Sequence, residues 1–370
     1  MAYLWELKQW PGFSYSLDNL LPYIAQARKL QGQIQSLAAS LELKDQGELL
    51  FREALHTSAI EGENLNPQDV RSSIANHLGL PSAGLPVTAE RHQGLIEVLV
   101  DATANYEKVL TAEKLWAWHS ALFPTGYSGI KKIIVGGWRS GVTPMNIISG
   151  SMGKEKIHFT APPSNQMDKE MLQFMKWWES SLGKVDGLLR AGIAHLYFVT
   201  IHPFEDGNGR LARALTDLAL AQEEMTGIRL YSLSTQIHKE RTSYYTILEE
   251  VQKGGGDITL WLSWFLDIYS HSIESSMEII KGALMAQRFY TNISNIVLNE
   301  RQLKVLEKMV QKLPENFTGG LTNKKYSAIT KVSLATVKRD LKEMADLGIL
   351  IIGEERGRST NYQINRSLLE

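Results

Sequence analysis

The chain contains no cysteine among its 370 residues. This absence excludes disulfides, thiolate nucleophiles and cysteine metal sites, and it leaves hard cations held by oxygen ligands as the natural metal chemistry. No apolar run approaches the ~20 residues that a membrane-spanning helix needs. The first 20 residues lack a basic start followed by an apolar core, so we expect no secretory signal and no membrane partner. The composition therefore predicts a cytoplasmic protein.

The chain also lacks a large excess of either charge, because its formal net charge is -1 at pH 7. This value gives no overall attraction to nucleic acid. Hydrophobic residues make up 44% of the sequence, which is enough to bury real cores, and the length predicts two or three domains. Most segments have apolar residues at helical spacing with cap-like ends, which predicts a mainly α fold. The expected helices include residues 18–41, 67–78, 88–104, 111–123, 167–181, 188–200, 210–224, 235–253 and 258–289.

One short stretch concentrates a base, a carboxylate, two glycines and two arginines between two predicted helices. It reads His202-Pro203-Phe204-Glu205-Asp206-Gly207-Asn208-Gly209-Arg210, and Arg213 follows. The preceding helix over 188–200 is apolar, and the following helix over 210–224 is rich in Leu, Ala and Arg. The loop therefore lies where a turn between two packed helices can present polar groups.

Each residue type in this loop suits a nucleotide site. Gly207 and Gly209 can adopt backbone angles that let amide groups converge in an anion-binding nest, and the first amides of the next helix add to it. Asp206 is a hard ligand of the kind that holds Mg²⁺ together with phosphate oxygens. His202 can act as a general base near neutral pH. We expect Phe204 to point into the core.

The loop resembles the motif H-x-F-x-[DE]-G-N-G-R-x-x-R of the Fic family (filamentation induced by cAMP), and the resemblance extends over most of residues 1–290. Fic enzymes typically transfer AMP from ATP to a hydroxyl side chain of a target protein. The resemblance implies that His202 deprotonates the target Ser, Thr or Tyr and that Asp206 holds Mg²⁺ on the α- and β-phosphates. It also implies that ATP is bound by Gly207, Asn208, Gly209, Arg210 and Arg213, the two arginines taking the β- and γ-phosphates.

A second part of the resemblance lies upstream, where Thr57, Glu61 and Gly62 fit the pattern [ST]-x-x-x-E-[GN]. These residues close a helical run, and Gly62 is suited to the left-handed position just past a helix end. In Fic proteins the glutamate of this pattern pairs with the second arginine of the active-site motif, which here is Arg213. A guanidinium engaged by a carboxylate is not free for a γ-phosphate, so the resemblance implies autoinhibition. The alternative is a helix end whose Glu61 meets only water.

A third part of the resemblance is a β-hairpin flap that aligns the target segment by main-chain pairing. The alternating stretch that begins at Lys156 and ends in two prolines is typical of an edge strand. Its candidate docking residues are Ile157, His158, Phe159 and Thr160. The alternative is a surface hairpin without a partner. We also consider that Tyr244 or Tyr245 stacks on adenine, with core packing as the alternative, and we interpret Arg139 as structural support and His195 as a core histidine.

The last 71 residues differ in charge from the rest, with 13 basic against 9 acidic residues. Helices predicted over 301–311, 323–329 and 334–346, followed by strands over 349–352 and 361–364, have the order of a winged helix. Lys338, Arg339 and Lys342 fall on the expected recognition helix, and Arg356 and Arg358 fall on the expected wing. DNA is a candidate partner on this ground, while protein binding stays open as the alternative.

The sequence therefore predicts a mainly α protein: a Fic-type helical core with a small hairpin flap, an N-terminal helical domain and a C-terminal winged helix. The expected domains are 1–85, 86–293 and 294–370. The expected activity is Mg²⁺-dependent transfer of AMP from ATP to a protein hydroxyl, restrained by Glu61. Two alternatives stay open: removal of AMP or another nucleotide or phosphoryl transfer on the same site, and an ATP-sensing DNA-binding regulator. The oligomeric state is undecided, and a homodimer stays open.

Overall fold

The computed structural model describes residues 2–38, 41–80, 90–149, 156–315, 317, 319–353 and 360–370. Helices make up 63% of the chain and strands 7%, which confirms the mainly α prediction with small antiparallel hairpins. The chain forms two compact units, one of residues 1–38 with 42–274 and one of residues 39–41 with 275–370. None of the helices in the described ranges is long and apolar enough to cross a membrane.

The first unit begins with three helices, α1 (Leu17–Gln35), α2 (Leu43–Ile60) and α3 (Pro67–Leu78). Side-chain caps fix where two of them start: the Ser16 hydroxyl accepts the Asn19 amide of α1, and the Asn66 side chain accepts an amide of α3. Helix α2 packs against α3 along the chain and against the later helix α9 (Leu233–Lys239). The N-terminal helices are thus packed directly on the remainder of this unit.

The centre of the first unit is the pair α7 (Gly187–Ile201) and α8 (Asn208–Glu224), which pack along each other. Every residue of α7 is buried, because its sequence is apolar on all sides and other helices surround it. Three further helices complete this layer: α4 (Glu90–Ala104), α5 (Ala112–Leu122) and α6 (Met167–Ser181). Helix α4 packs against α5 and α8, and α6 packs against α7. The turn between α7 and α8 is therefore held between two rigid elements.

Two short antiparallel hairpins lie between α5 and α6. The first joins β1 (Tyr127–Ser128) to β2 (Lys131–Lys132). The second joins β3 (Asn146–Ser149) to β4 (Lys156–Thr160), with a register shift between Ile147 and Ile148. Strand β4 covers the stretch in which the sequence predicted an edge strand.

The prediction of one helix over 235–253 is wrong, because the structure has α9 and then α10 (Arg241–Gln252). The backbone leaves helical angles at Glu240, where φ is -107° and ψ is 27°. The buried side chains Ile237, Tyr244 and Leu248 keep a helical spacing of seven and four residues across this break. Apolar periodicity alone therefore could not reveal it.

The second unit contains the end of α11 (Thr259–Asn292), followed by three helices and a three-stranded antiparallel sheet. The helices are α12 (Glu300–Val310), α13 (Asn323–Thr330) and α14 (Leu334–Asp346); the strands are β5 (Leu321–Thr322), β6 (Leu350–Ile352) and β7 (Asn361–Ile364), in the order β5-β7-β6. The buried carboxylate of Asp340 accepts the Tyr326 hydroxyl at 2.9 Å and Arg301 Nε at 3.0 Å. The winged-helix interpretation stays a prediction, and Arg356 and Arg358 lie outside the described residues.

The crossing of α4 and α5 yields a stability prediction. A Cβ added at Gly94 would meet the Ala121 carbonyl oxygen at 2.0 Å, so Gly94→Ala should push the two helices apart and lower the free energy of unfolding by about 1–3 kcal/mol. At Gly32 of α1, an added Cβ meets nothing within 4 Å, so Gly32→Ala should raise it by up to about 1 kcal/mol through helix propensity. Urea unfolding followed by circular dichroism measures both changes; equal stabilities would contradict the close crossing.

Candidate active site

The glycine-rich turn between α7 and α8 is shaped by two residues in the left-handed region. His202 ends α7 with φ of 53° while its amide donates to the Phe198 carbonyl at 3.0 Å, and Gly207 precedes α8 with φ of 80°. Helix α8 begins at Asn208, two residues earlier than the sequence predicted. The amides of Asn208 and Gly209 therefore belong to the first helical turn, where amides have no partner inside the helix.

Asn208 ties the loop together instead of presenting its amide outward. Its Oδ1 accepts the Phe204 amide at 2.9 Å, its Nδ2 donates to the Phe204 carbonyl at 2.8 Å, and the side chain is buried. Phe204 itself is buried, as expected, and stacks on His119 with ring centroids 4.2 Å apart. The Asn208 side chain therefore shapes the loop, and its role in seating the phosphates stays a prediction.

Asp206, the residue expected to hold a metal, is fixed by two hydrogen bonds to its carboxylate and one to its backbone carbonyl. The Ser128 hydroxyl donates to Oδ2, the Gly207 amide donates to Oδ1 at 2.6 Å, and His119 Nε2 lies 3.2 Å from the Asp206 carbonyl. Burial lowers the pKa of His119 to about 4, so its ring is neutral and Nε2–H is the donor. Neither Ser128 nor His119 could be recognised from the sequence, because each is a single residue far from the loop.

His202 is held so that one ring nitrogen is free to accept a proton. Its Nδ1 lies 3.3 Å from the Val199 carbonyl. Burial lowers the pKa of His202 to about 4, opposed by the bond to Val199 and assisted by the charge of Arg139. In the neutral ring Nδ1 carries the proton that this carbonyl accepts, so Nε2 keeps its lone pair. This tautomer is the one that a general base requires.

Arg139 supports the backbone around His202, as the sequence analysis interpreted. Its Nε donates to the His202 carbonyl at 2.7 Å, its Nη2 donates to the Pro162 carbonyl, and its own amide donates to the Pro203 carbonyl at 2.8 Å. Burial lowers the pKa of Arg139 to about 10, so the guanidinium stays charged at pH 7. It joins the end of β4 to the end of α7 and fixes the imidazole between them.

The upstream residues Thr57 and Glu61 meet Arg213 as expected. Arg213 Nε donates to the Thr57 hydroxyl at 2.7 Å, and Nη2 lies 2.8 Å from both the Thr57 carbonyl and Glu61 Oε1. Arg213 is only 1% exposed; burial lowers its pKa, but the Glu61 carboxylate outweighs this, so the net shift is upward. An added Cβ at Gly209 would stand 2.2 Å from Glu61 Oε1. The Glu61 carboxylate thus lies against the start of α8, beside the arginine it pairs with.

Arg210 has an acidic neighbour that the sequence analysis did not single out. Its Nη1 lies 3.3 Å from Glu63 Oε2, and its guanidinium carbon lies 5.0 Å from the centroid of the Phe123 ring. The Arg210 side chain is 7% exposed. The signal for this pair was a glutamate two positions after Glu61, directly after the pattern that ends at Gly62, and glutamate is too common a residue to stand out in sequence.

A buried carboxylate one turn before Thr57 anchors α2 to the catalytic core. Glu53 is fully buried and its Oε2 accepts the Ser232 hydroxyl at 2.9 Å and the Ser234 amide at 3.1 Å, at the start of α9. Nearby, Arg229 lies 2.8 Å from Asp217, whose pKa burial raises. Glu53, Thr57 and Glu61 are four residues apart, so all three project from one face of α2.

The two candidate adenine-stacking tyrosines have different environments. Tyr244 is 2% exposed and its hydroxyl lies 2.9 Å from His195 Nε2, which favours the core-packing alternative for this ring. His195 is fully buried, and its Nδ1 lies 3.0 Å from the Thr216 hydroxyl, as befits a core histidine. Tyr245 is 39% exposed and donates to the Ile60 carbonyl at 3.1 Å. Of the two tyrosines, Tyr245 is thus the more exposed, and the guanidinium carbon of Arg241 lies 5.5 Å from the centroid of its ring.

The predicted flap residues divide between core and surface. Ile157 is 49% exposed, whereas Phe159 is 2% exposed and packs edge-on against Tyr3 with centroids 5.2 Å apart. His158 Nδ1 bonds to the Glu249 carboxylate of α10, and the Thr160 carbonyl accepts the Trp5 indole at 2.7 Å. Phe159 is thus an anchor of the hairpin and not a docking side chain. In the described part of the chain, β3 and β4 pair only with each other.

The donor set around Asp206 fits Mg²⁺ as the sequence predicted it. Within the described residues, no three His, Asp or Glu side chains are grouped to hold a metal ion. Mg²⁺ is usually held by one or two carboxylates with water and substrate phosphates, and not by a cage of protein ligands. One oriented carboxylate beside free helix amides is therefore compatible with this ion, and with no metal that needs several protein ligands.

Comparison with known proteins agrees with this geometry. Residues 109–220 match the Fic/DOC family, and residues 3–80 match a domain of unknown function, DUF4172. A Fic family protein from Desulfovibrio desulfuricans G20 has the same fold, with 18% identity, a TM-score of 0.54, and coverage of 94% of this chain and 95% of that one. A Fic domain containing signaling protein from Bacteroides thetaiotaomicron VPI-5482 matches 71% of this chain and 97% of its own, at 18% identity and a TM-score of 0.50.

Named relatives match the chain at lower coverage of their own length. The probable protein adenylyltransferase aq_aa38 of Aquifex aeolicus (strain VF5) is 24% identical over 49% of this chain and 55% of its own length. The protein adenylyltransferases fic-1 of Caenorhabditis briggsae and Caenorhabditis elegans are 24% and 26% identical, each over 71% of this chain and 47% of the relative. The chain spans about half the length of these curated relatives. Residues 109–220 therefore form a Fic/DOC domain, as the motif and the family match agree.

The environment of His202 yields a prediction on its titration. An imidazole in the unfolded chain titrates near 6.5, whereas the folded pKa is lowered to about 4. His202 should therefore stay neutral at pH 5, and the stability that it contributes should be lost as the pH falls from about 6.5 toward 4. NMR titration of histidine-labelled protein measures this, with the His202 signal assigned by its loss in His202→Gln. A midpoint near 6.5 would contradict the buried, neutral base.

Proposed function

We propose that this protein is a protein adenylyltransferase that transfers AMP from ATP to a hydroxyl side chain of a target protein. The observation that carries the proposal is the position of a neutral imidazole, His202, next to a glycine turn and the two arginines Arg210 and Arg213 at the start of one helix. A base, an anion-binding helix start and two cations are the groups that nucleotidyl transfer needs. The names of its relatives in Aquifex and Caenorhabditis support the same activity.

The reaction that we propose begins with the target hydroxyl between His202 and the α-phosphate. The hydroxyl oxygen attacks the α-phosphorus as its proton passes to His202 Nε2, the ring nitrogen that bonds to none of the described residues. The bond from the α-phosphorus to the bridging oxygen of the β-phosphate breaks, and pyrophosphate leaves. The Gly207 amide is already engaged by the Asp206 carboxylate, so the amides of Asn208 and Gly209, with Arg210 and Arg213, bind the phosphate chain and neutralise the charge that develops on it.

Mg²⁺ is the cofactor that fits the proposed chemistry, and Asp206 is the residue that would hold it. When bound, the ion would neutralise charge on the α- and β-phosphates and make pyrophosphate a better leaving group. The protein's own part is to keep the Asp206 carboxylate fixed through Ser128, the Gly207 amide and the His119 contact to the Asp206 carbonyl.

We further propose that the enzyme is autoinhibited by Glu61. Its carboxylate pairs with Arg213 Nη2 at 2.8 Å, so a γ-phosphate would have to displace Glu61 to bond to that nitrogen. Thr57 and Gly62 belong to the same device: Thr57 accepts from Arg213, and Gly62 ends the helix with φ of 84°. ATP would then bind weakly, or in a pose that does not react.

The target protein would be aligned by the flap, through main-chain pairing with β4 and contact with the exposed Ile157. His158 belongs to the flap, where its bond to Glu249 ties the strand to α10, and Thr160 ties its end to Trp5. Tyr245 remains our candidate for adenine. Cytoplasmic location and a homodimer remain predictions of the same rank, without an observation in the fold that favours them.

The sharpest test of the activity is transfer of label from ATP. Wild type, Glu61→Gly, and Glu61→Gly combined with His202→Ala are incubated with α-labelled or γ-labelled ATP, Mg²⁺ and cell extract. Glu61→Gly should label itself or a target from α-labelled ATP more strongly than wild type. Loss of the base should lower the rate by about 10²–10⁴-fold. Labelled protein is measured after gel separation.

A matched control replaces a surface histidine, His77→Ala, in the Glu61→Gly background, and it should leave labelling unchanged. If the protein is labelled only from γ-labelled ATP, the reaction is phosphoryl transfer and not nucleotidyl transfer. Loss of AMP from a pre-labelled protein, without new labelling, would favour the removal of AMP on the same site. Absence of any label in all variants would overturn the proposed activity.

A second function is proposed for residues 294–370, which we interpret as a winged helix following an N-terminal domain of 1–85 and a catalytic domain of 86–293. Lys338, Arg339 and Lys342 are all exposed on α14, opposite the buried Val337 and Leu341. Three cations on the outer face of one helix suit phosphate or base contacts in a DNA groove. The protein would then act as a DNA-binding regulator with an enzymatic site.

Binding to DNA from its own upstream region tests this second function. The logarithm of affinity should fall with the logarithm of salt concentration, and Lys338→Ala with Arg339→Ala should weaken binding and flatten that slope by about two. A control of equal charge is Lys304→Ala with Lys308→Ala, two exposed lysines of α12. Equal loss in both double variants would indicate only general charge attraction, and no binding at all would favour a protein partner.

A further inference from the structure

The two arginines of the proposed nucleotide site are each paired with a carboxylate, and both carboxylates come from the same turn. Glu61 Oε1 lies 2.8 Å from Arg213 Nη2, and Glu63 Oε2 lies 3.3 Å from Arg210 Nη1. Both arginine side chains are buried, at 1% and 7% exposure, while the two glutamates are 33% and 25% exposed. Both cations expected to bind phosphate thus already have an anionic partner.

The backbone after α2 explains why Glu63 reaches Arg210. The Gly62 amide donates to the Ala59 carbonyl and the Glu63 amide donates to the Ser58 carbonyl, both at 3.0 Å. This is the paired hydrogen-bond pattern of a Schellman helix end, and it requires the left-handed angle that Gly62 adopts with φ of 84°. The turn therefore fixes the backbone of Glu63 relative to Glu61, so the two carboxylates approach the site as one unit.

The base of this turn is fixed as well. One turn earlier, Thr57 accepts from Arg213 through both its hydroxyl and its carbonyl. One turn before that, Glu53 is held at the start of α9 by Ser232 and Ser234. Because α2 is anchored at these two levels, its end cannot drift away from the nucleotide site without losing buried hydrogen bonds. The pair formed by Glu63 is thus part of the folded arrangement and not a chance contact of a loose loop.

We propose that Glu63 is a second inhibitory carboxylate, which opposes the binding of a phosphate group at Arg210 as Glu61 opposes one at Arg213. This inference rests on the proposed function, because it assumes that polyphosphate binds between the two arginines. It predicts that inhibition is graded by the number of phosphates. AMP meets neither carboxylate, ADP competes with Glu63 at Arg210, and ATP competes with both glutamates.

The test measures binding of AMP, ADP and ATP to the full chain by calorimetry, in wild type, Glu63→Gln, Glu61→Gly and the double variant. Glu63→Gln keeps the shape of the side chain and removes its charge. It should bind ADP and ATP about threefold more tightly than wild type, the size expected for a partly exposed ion pair, and AMP equally. Glu61→Gly should tighten ATP without tightening ADP. The double variant should also accept α-label faster than Glu61→Gly when ATP is below saturation.

Glu97→Gln is the control for charge alone, since Glu97 is exposed on α4 and bonds to Gln93 of the same helix. If Glu63→Gln binds ADP and ATP no more tightly than this control, while Glu61→Gly binds ATP and accepts label, the role of Glu63 is overturned and the proposed function stands. Tighter ATP with unchanged ADP would likewise overturn the pairing with Arg210. If no variant binds ATP or accepts label, it is the proposed function that fails.

Discussion

The site is organised around the guanidinium of Arg213, which stays positively charged although it is buried from water. Arg213 is 1% exposed, and a guanidinium stays protonated at any ordinary pH, so its burial demands oxygen partners. Thr57 supplies a hydroxyl and a carbonyl, and Glu61 supplies the negative charge. Any ligand that displaces Glu61 has to bring negative charge of its own. In the proposed autoinhibition, Glu61 and the γ-phosphate of ATP would for this reason compete for the same guanidinium.

Similar reasoning explains three histidines near the loop, of which His119 and His195 are buried and His202 is half-buried. Burial lowers the pKa of His119 and His202 to about 4 and that of His195 to about 3. A neutral ring has one donor and one acceptor, so its neighbours decide which nitrogen is free. For His195 both nitrogens are occupied by Thr216 and Tyr244, whereas for His202 the described residues offer a partner to Nδ1 and none to Nε2. The hydrogen-bond partners of each ring thus decide whether it packs in the core, as His195 does, or keeps a nitrogen available as a base, as we propose for His202.

Much of this arrangement could be predicted from sequence, because the informative signals are local. The angles open to Gly207, the helices on either side of it and the four-residue spacing of Thr57 and Glu61 are all readable from neighbouring residues. The contacts that were missed join residues far apart in the chain: His119 and Ser128 to Asp206, Glu63 to Arg210, and Glu53 to the start of α9. No periodicity encodes such pairs. The inward orientation of the Asn208 and Phe159 side chains could not be predicted either, since a motif gives residue types and not the direction of a side chain.

Gly209 belongs to the glycine turn expected to bind phosphate, and its surroundings give a second reason why this residue has no side chain. A methyl group at this position would stand 2.2 Å from Glu61 Oε1 and 3.3 Å from Arg213 Nη1. Alanine at this position would therefore disturb the Glu61–Arg213 pair even without a bound nucleotide. Under the proposed function, the lack of a side chain at Gly209 would serve both the Glu61–Arg213 pair and the bound nucleotide, so both would constrain this one residue.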